Sequence, residues 1–332
     1  MGKARNPRHG SMQFWPRVRA EKEVPVVKSW AKSAEAKPLG FAGYKVGMTH
    51  VQYKEEEKSS PRKGEIVSVP VTIIECPPLT VAGVRVYATK DGSKSVVADV
   101  FAPKQDKHLA KRVAAKSKRK LDALDAAAYD DVVLLVHTNP SETGMGKKKP
   151  EIFEVAIGGS KDEKLAYAKE NLGKQIAVSD VFADGEFVDT HAVTKGKGYQ
   201  GAVKRFGVAI RSHKSEKGRR APGSLGGWIS QQHTMYRIAH AGQMGYHTRT
   251  HYNNKIFKIG DTPDQVNAKG GFIRYGNVRS SYVLIKGSVQ GPVKRLVRFN
   301  KPVRAKANRK PVAPAIQFVS TASKQGNRIS DV

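Results

Sequence analysis

FAGYKVGMTHVQY, residues 41–53, and EIVSVPVTIIEC, residues 65–76, decide what kind of fold this chain adopts. Val, Ile, Tyr and Thr dominate both stretches, and apolar residues alternate with polar ones at a period of two. That is the pattern of pleated strands with one face buried. Lys54–Gly64, between them, is a polar loop. After a break at Pro77 and Pro78, VAGVRVYA (81–88) reads as a further strand and VVLLVHT (132–138) as a buried one. Strands are expected again near Ile152–Ile157 and in IAVSDVFADGEFVDTHAV (176–193), with a tight turn at Asp184-Gly185. They resume at Lys255–Ile259, FIRYG (272–276), SYVLIKGSVQ (281–290), VKRLVRFN (293–300) and QFVST (317–321). Many short strands separated by glycine turns point to a mostly β fold, a barrel rather than a layered α/β domain.

Helical signals are confined to one section. Leu109, Val113, Leu121, Leu124 and Ala128 recur at spacings that share a helical face. A second helix begins at Ser160, with Glu163 at the reciprocal capping position, and ends before Gly173. Residues 101–175 therefore read as an α/β insertion in a β-barrel built from 41–100, 176–194 and 255–322. Residues 1–40 lack sustained periodicity. Phe14, Trp15 and Trp30 sit there among Arg17, Arg19, Lys28 and prolines, which predicts an extended arm that orders on a partner. Residues 195–254 lose regular patterning as well and form a second extension, a basic glycine-rich finger; 323–332 are a tail.

The charge predicts a polyanionic partner, nucleic acid or a membrane surface; no membrane is expected, because a membrane surface could use one basic face but hardly two aromatic-studded extensions. Of 332 residues, 59 are Lys or Arg and 29 are Asp or Glu, for a net charge of +30. A free compact protein of that charge repels itself. The charge is also segregated. Residues 121–190 carry seven basic and 14 acidic residues, whereas 195–254 carry 11 basic residues and the single acid Glu216, with ten glycines. From 265 to 330 there are 14 basic residues and no acid. Single-sign tracts of this length read as contact surfaces. One cysteine, Cys76, excludes a disulfide framework and a cysteine-rich zinc site. No stretch approaches 18 apolar residues and the first residues lack an apolar signal region, which points to the cytosol.

Three enzyme-like patterns fail on context. Gly196-x-Gly198-x-x-Gly201 matches a dinucleotide fingerprint literally, but AVKRFGV follows it in place of an apolar helix and no acid stands about 20 residues on. His247 and His251 have helical spacing, yet HTRTH lacks the acid of a zincin, and histidines within an RNA-binding surface account better for His233, His240, His247 and His251. Ser224 and Ser230 lie where carboxylates are almost absent, so no catalytic triad assembles locally. No catalytic residue, metal or cofactor is expected.

What the pattern does support is phosphate binding by cations beside flexible backbone. The candidates are Arg8, Arg17 and Arg19 in the arm. In the finger they are Lys195, Lys197, Lys204, Arg205, Arg211, Lys214, Arg219, Arg220, Arg237 and Arg249. Lys294, Arg295 and Arg298 follow near the end, interleaved with apolar residues. Trp228, behind GSLGG, is an indole on a finger with nowhere local to bury it. Tyr199, Phe206, Tyr236, Tyr246 and Tyr252 repeat the aromatic-between-basic arrangement.

Long segments of the chain resemble a known family. HGSMQFWPRVRA (9–20), GFAGYKVGMTH (40–50), PVTIIECPP (70–78), DVFADGEFVDTHAVTKGKGYQGAVKRFGV (180–208), AHAGQMGYHTRTHYNNKIFKIG (239–260) and GGFIRYGNVRSSYVLIKGSVQGPVKRLVRF (270–299) are similar to the large-subunit ribosomal protein L3 (uL3) family of archaea and eukaryotes. That resemblance implies a translation-protein-type barrel with an inserted α/β section and two extensions into large-subunit rRNA. It implies Trp228 at the finger tip near the peptidyl-transferase region, and a role in early assembly around the 3′ part of the rRNA. It also implies cytoplasmic ribosomes as the location, proteins L14 and L24e as neighbours, and no homo-oligomer. Departures are Met12, Gln13, Val18 and Ala20 in the opening, Ile229-Ser230 after the tryptophan, and Glu216 where eukaryotic relatives carry a histidine. The alternatives, a free RNA chaperone, an RNA-modifying enzyme or a DNA-compacting protein, rest on charge alone.

Overall fold

Seven consecutive residues at the start of Gly40–Lys54 (β1) are buried, and the strand then alternates. Ile66–Glu75 (β2) alternates first and ends in five buried residues. The two run antiparallel from Tyr44 opposite Glu75 to Lys54 opposite Ile66, so their doubly buried halves lie side by side. Leu79–Lys90 (β3), Ser93–Phe101 (β4), the short helix Lys107–Ala110 (α1), Asp131–His137 (β5) and Ile152–Ala156 (β6) follow. Next come the helix Lys161–Asn171 (α2), Gln175–Ile176 (β7), Phe187–Val193 (β8), Tyr199–Gln200 (β9), the helix Ala202–Phe206 (α3) and Gly242–Gln243 (β10). Thr248–Gly260 (β11), Tyr282–Lys286 (β12), Leu296–Asn300 (β13) and Ala315–Val319 (β14) complete the order. The computed structural model describes residues 8–57, 60–113, 129–225, 235–305 and 311–323, and among them the chain is mostly β. It divides into two units, residues 1–22 with 193–249 and residues 23–192 with 250–332.

The larger unit holds two sheets. One runs β13-β8-β11-β12-β2-β1-β14, and β13 pairs with β1 as well. Six strands thus form a closed circuit of hydrogen-bonded neighbours, which leaves them no free edge. The length of β1 makes this possible. Its first residues pair with β13 (Gly40 opposite Asn300), its last with β14 (Val51 opposite Val319), and β2 occupies its other edge. The second sheet runs β4-β3-β5-β6, with β7 also on β3. One apolar cluster spans both sheets, with Phe41, Tyr44, Ile73, Leu134 and Phe299 among its members. Each such side chain contributes about 1.5–3 kcal/mol by leaving water.

Three details differ from the sequence reading. The insertion boundary placed at residue 100 cuts a sheet, because β3 and β4 pair with each other and β3 pairs with β5. The composition of VAGVRVYA identifies a strand but not its sheet, since one of its pairing partners lies some 50 residues further on. FIRYG is no strand; Phe272 and Gly276 close on each other through reciprocal backbone hydrogen bonds, with Arg274 at φ +66°. β4 carried no clear signal because its first five residues are exposed. In the second helix the Ser160 N–H donates to the Glu163 carboxylate at 2.8 Å, and Gly173 beyond its end has φ +82°. The first helical stripe is described only in part: α1 buries Leu109, and Leu121, Leu124 and Ala128 lie outside the described residues.

The predicted arm of 1–40 divides at residue 22. Val27 is buried in the larger unit. Trp30 packs so closely on Gly40 that a Cβ there would lie 2.8 Å from the ring. Lys37 and Ser33 accept backbone hydrogen bonds from Gly158 and Gly159. Two buried polar groups hold the same unit together. Glu75 accepts from the N–H groups of Arg279 and Ser280 at 2.6 and 3.0 Å and from the Tyr275 hydroxyl. The Lys45 ammonium donates to the carbonyl of Gly291 at 3.1 Å and to that of Val289, and burial lowers its pKa.

Candidate nucleic-acid interface

The smaller unit is poor in apolar residues, and its architecture follows from what replaces them. β9 and β10 pair, with Gly242 opposite Gln200. Lys197 and Met244 share a backbone hydrogen bond, as do Met244 and Gly198. This close approach requires glycine at 245. Its φ is +73°, and a Cβ would meet the Lys195 carbonyl oxygen at 2.1 Å. The dinucleotide-like glycines are spread across other elements. β9 lies within the motif, and Gly201 precedes α3, which is only five residues long and carries Lys204 and Arg205.

The first residues of the chain complete this unit. Trp15 rests against Phe206 (centroids 6.2 Å apart) and Tyr236 (5.8 Å, edge to face). Its indole N–H donates to the Ser11 carbonyl at 3.1 Å. Phe206 is buried and the Arg17 guanidinium stacks on it at 4.2 Å. Arg19 lies over the Tyr246 ring, and the Ala20 N–H donates to the Tyr246 carbonyl at 2.8 Å. The sequence predicts two extensions, one at each of these places; the structure packs residues 8–22 against 193–249 in one unit.

His247 is the pin of that packing. It is buried, its Nδ1 lies 2.7 Å from the Val18 carbonyl, and its backbone exchanges hydrogen bonds with Thr194. Burial lowers its pKa most; the Val18 carbonyl acts the other way, and Arg249, Arg17 and Arg205 add to the lowering. A histidine whose folded pKa is depressed stabilises fully above its unfolded value of about 6.5, and that stability is lost as the pH falls below it. Acidification from pH 7.5 to 5 is therefore expected to loosen this unit. Amide protection factors at Ala20 and Thr194 should fall over that range, and constant protection would refute the assignment. His240 is half-buried and His251 exposed, while His233 lies outside the described residues.

The sixteen predicted phosphate-binding cations separate into two groups. Arg8, Arg19, Lys195, Lys197, Lys204, Lys214, Arg219, Arg220, Arg237 and Lys294 are exposed. Six others are half-buried or buried, with their guanidinium groups engaged within the protein. Arg17 donates to the Arg205 carbonyl at 2.8 Å, Arg205 to the carbonyls of Gln243 and His240 at 3.0 Å, and Arg211 to that of Pro222 at 2.8 Å. Arg249 is half-buried over Phe14. In the larger unit Arg295, with only 10% of its side chain exposed, pairs with Glu23 at 2.9 Å.

Arg298 departs furthest from expectation. It is 4% exposed and donates to the carbonyls of Pro25 (2.8 Å) and Glu154. Phe153 and Trp30 rings lie 4.6 and 5.9 Å from its guanidinium carbon. Burial lowers its pKa to about 9, so it stays charged at neutral pH, but it is out of reach of a phosphate as the chain is folded. VKRLVRFN offered no way to see this, because the groups that satisfy Arg298 lie about 270 and 140 residues away.

Trp228 lies outside the described residues. Among the described aromatics of the smaller unit, Tyr199 (77% exposed), Tyr236 (71%) and Phe14 (54%) face solvent between cations. By sequence, that unit contains 17 Lys or Arg against two acids, Glu21 and Glu216, and so carries half of the net charge of +30. Exposed cations, exposed rings and almost no carboxylates are the composition of a nucleic-acid surface.

Comparison with known proteins adds independent evidence. The sequence profile of a family described as "Ribosomal protein L3" matches residues 1–133 and 115–326. The chain is 46% identical to "Large ribosomal subunit protein uL3" of Methanobrevibacter smithii, with 96% of this chain and 98% of that protein covered. It is 47% identical to the protein of that name from Methanothermobacter thermautotrophicus, covering 98% and 100%. The corresponding protein of Methanococcus vannielii is 44% identical over 98% of this chain and 100% of its own length.

Proposed function

Because the chain belongs to the ribosomal protein L3 family, and is thus a structural constituent of the large ribosomal subunit rather than an enzyme, we propose that it binds large-subunit rRNA directly and helps that RNA fold early in assembly. The smaller unit supplies most of the contact. Its exposed cations neutralise phosphates of neighbouring RNA segments that would otherwise repel, and its glycines let backbone approach them closely. The observation that carries this reading is the 17-to-2 excess of basic over acidic residues there.

In the same proposal, residues 195–254 form a finger whose Trp228 supports the region around the peptidyl-transferase centre. The closed circuit of six strands is a translation-protein-type barrel. Proteins L14 and L24e of the cytoplasmic ribosome are its neighbours. Peptide-bond chemistry stays with the RNA. To test direct binding, the purified chain is mixed with protein-free large-subunit rRNA at 50 mM salt and sedimented through a gradient. It is expected to travel with the RNA; a chain that remains at the top of the gradient would overturn the proposal.

A further inference from the structure

Within the smaller unit, Phe14, Arg17, Lys195, Lys197, Arg205 and Arg249 line an open cavity of about 490 Å³, floored in part by the backbone at Gly245. Five of these six side chains are cationic, and among the described residues no carboxylate lines the cavity. Like charges gathered round one space raise one another's energy until an anion enters. The Arg17 guanidinium registers this: its pKa is lowered first by burial and then by Arg205, Arg249 and Arg8. The internal hydrogen bonds of Arg17 and Arg205 go to neutral backbone carbonyls, which orient their charges without cancelling them.

Ser11, Thr194, Met244 and His247 complete the lining, and Phe14 gives it an aromatic face. Phe14 is 54% exposed, and the Arg249 guanidinium lies 5.4 Å from its ring centroid. Arg249 thus covers part of the ring, and the residue is still more than half exposed. An exposed phenyl ring at the mouth of a cationic cavity calls for a ligand that brings both negative charge and a π face. A lone phosphate has no such face, and the volume is in the range that encloses a small organic ligand. A nucleotide has both parts. Inside a duplex its base is already stacked and paired, and the ring of Phe14 could not reach it; in a single strand the base is free to turn out.

We propose that this cavity holds one unstacked nucleotide of a single-stranded RNA segment, its base on Phe14 and its phosphate among Arg17, Lys195 and Lys197. The inference rests on the rRNA-binding reading above and adds to it where a strand is gripped and in what conformation. It also accounts for the pinning by His247: Phe14 and Arg17 come from the start of the chain and the other four from its middle, so the cavity exists only while the two segments are held together.

The test uses the full chain and two probes, a 12-nucleotide uridine RNA carrying one 2-aminopurine, and the same strand paired as an RNA duplex. The single strand is expected to bind more tightly, with quenching of its 2-aminopurine fluorescence. Phe14→Leu, which keeps an apolar side chain at a half-exposed position, should weaken single-strand binding by about 5- to 100-fold and abolish the quenching. Duplex binding should stay unchanged. Replacing Lys195 and Lys197 by Gln should flatten the slope of log K against log salt by about 1.4 for the single strand. Unaltered circular dichroism and melting of each variant would establish that folding is intact. If the wild-type chain binds large-subunit rRNA but ignores the single strand, or if Phe14→Leu quenches and binds as wild type does, the cavity inference is wrong while the rRNA reading stands. If the wild-type chain fails on rRNA itself, the underlying reading falls.

Discussion

Raising monovalent salt from 50 to 200 mM is expected to weaken binding of the free chain to large-subunit rRNA by about 10³- to 10⁵-fold. This is the loss for a protein that makes about 6–10 phosphate contacts, each of which displaces condensed counterions. The smaller unit has the means: ten of the sixteen predicted cations are exposed, and nine of these ten belong to it. The same unit has only Glu21 and Glu216 to compete for them. Filter binding across a salt series measures the slope directly. A dependence of less than tenfold over that range would mean that the charge is not used on phosphates. Single substitutions of exposed residues, Lys197→Gln or Arg219→Gln, should each flatten the slope by about 0.7–0.9 and leave thermal stability within about 0.5 kcal/mol of wild type.

Replacing Arg298 should do the opposite. Arg298→Ala is expected to lower unfolding stability by about 3–5 kcal/mol, because it takes a charged donor from the buried carbonyl of Pro25 and the part-buried carbonyl of Glu154. It also empties a site beside Phe153 and Trp30. Arg298→Lys should recover little, since a single ammonium cannot reproduce two diverging hydrogen bonds and a planar stack. Urea denaturation gives the stability. The salt dependence of rRNA binding by the folded fraction should match wild type. A variant with native stability and a flatter salt slope would return Arg298 to the RNA-facing group.

These two expectations mark how far local sequence reaches. Strands β1, β2, β5 and β6 were readable because each carries its alternation or apolar run within a few residues. The helix α2 was readable because Ser160, Glu163 and Gly173 lie within one short segment. Tracts of single-sign charge were equally plain, since counting needs no coordinates. β4 was not readable, because an exposed edge strand need not alternate. Nor was the role of His247. A histidine between Tyr246 and Thr248 has no local partner, and the Val18 carbonyl it meets is 229 residues away. The candidate site was therefore legible as a region and only partly as residues.

By itself the sequence determined that the chain is rich in β structure, that half its net charge sits in the segments 1–22 and 193–249, and which family it joins. These properties are sums or periodicities along the chain. Only the tertiary structure decided that β1 closes onto β13 some 250 residues later, and that residues 8–22 pack with 193–249. It alone sorted the +30 into cations that face solvent and arginines that hold carbonyls inside. A guanidinium is kept in the interior by acceptors and rings that distant segments bring to it, and neither its own residue type nor its neighbours in sequence carry that information.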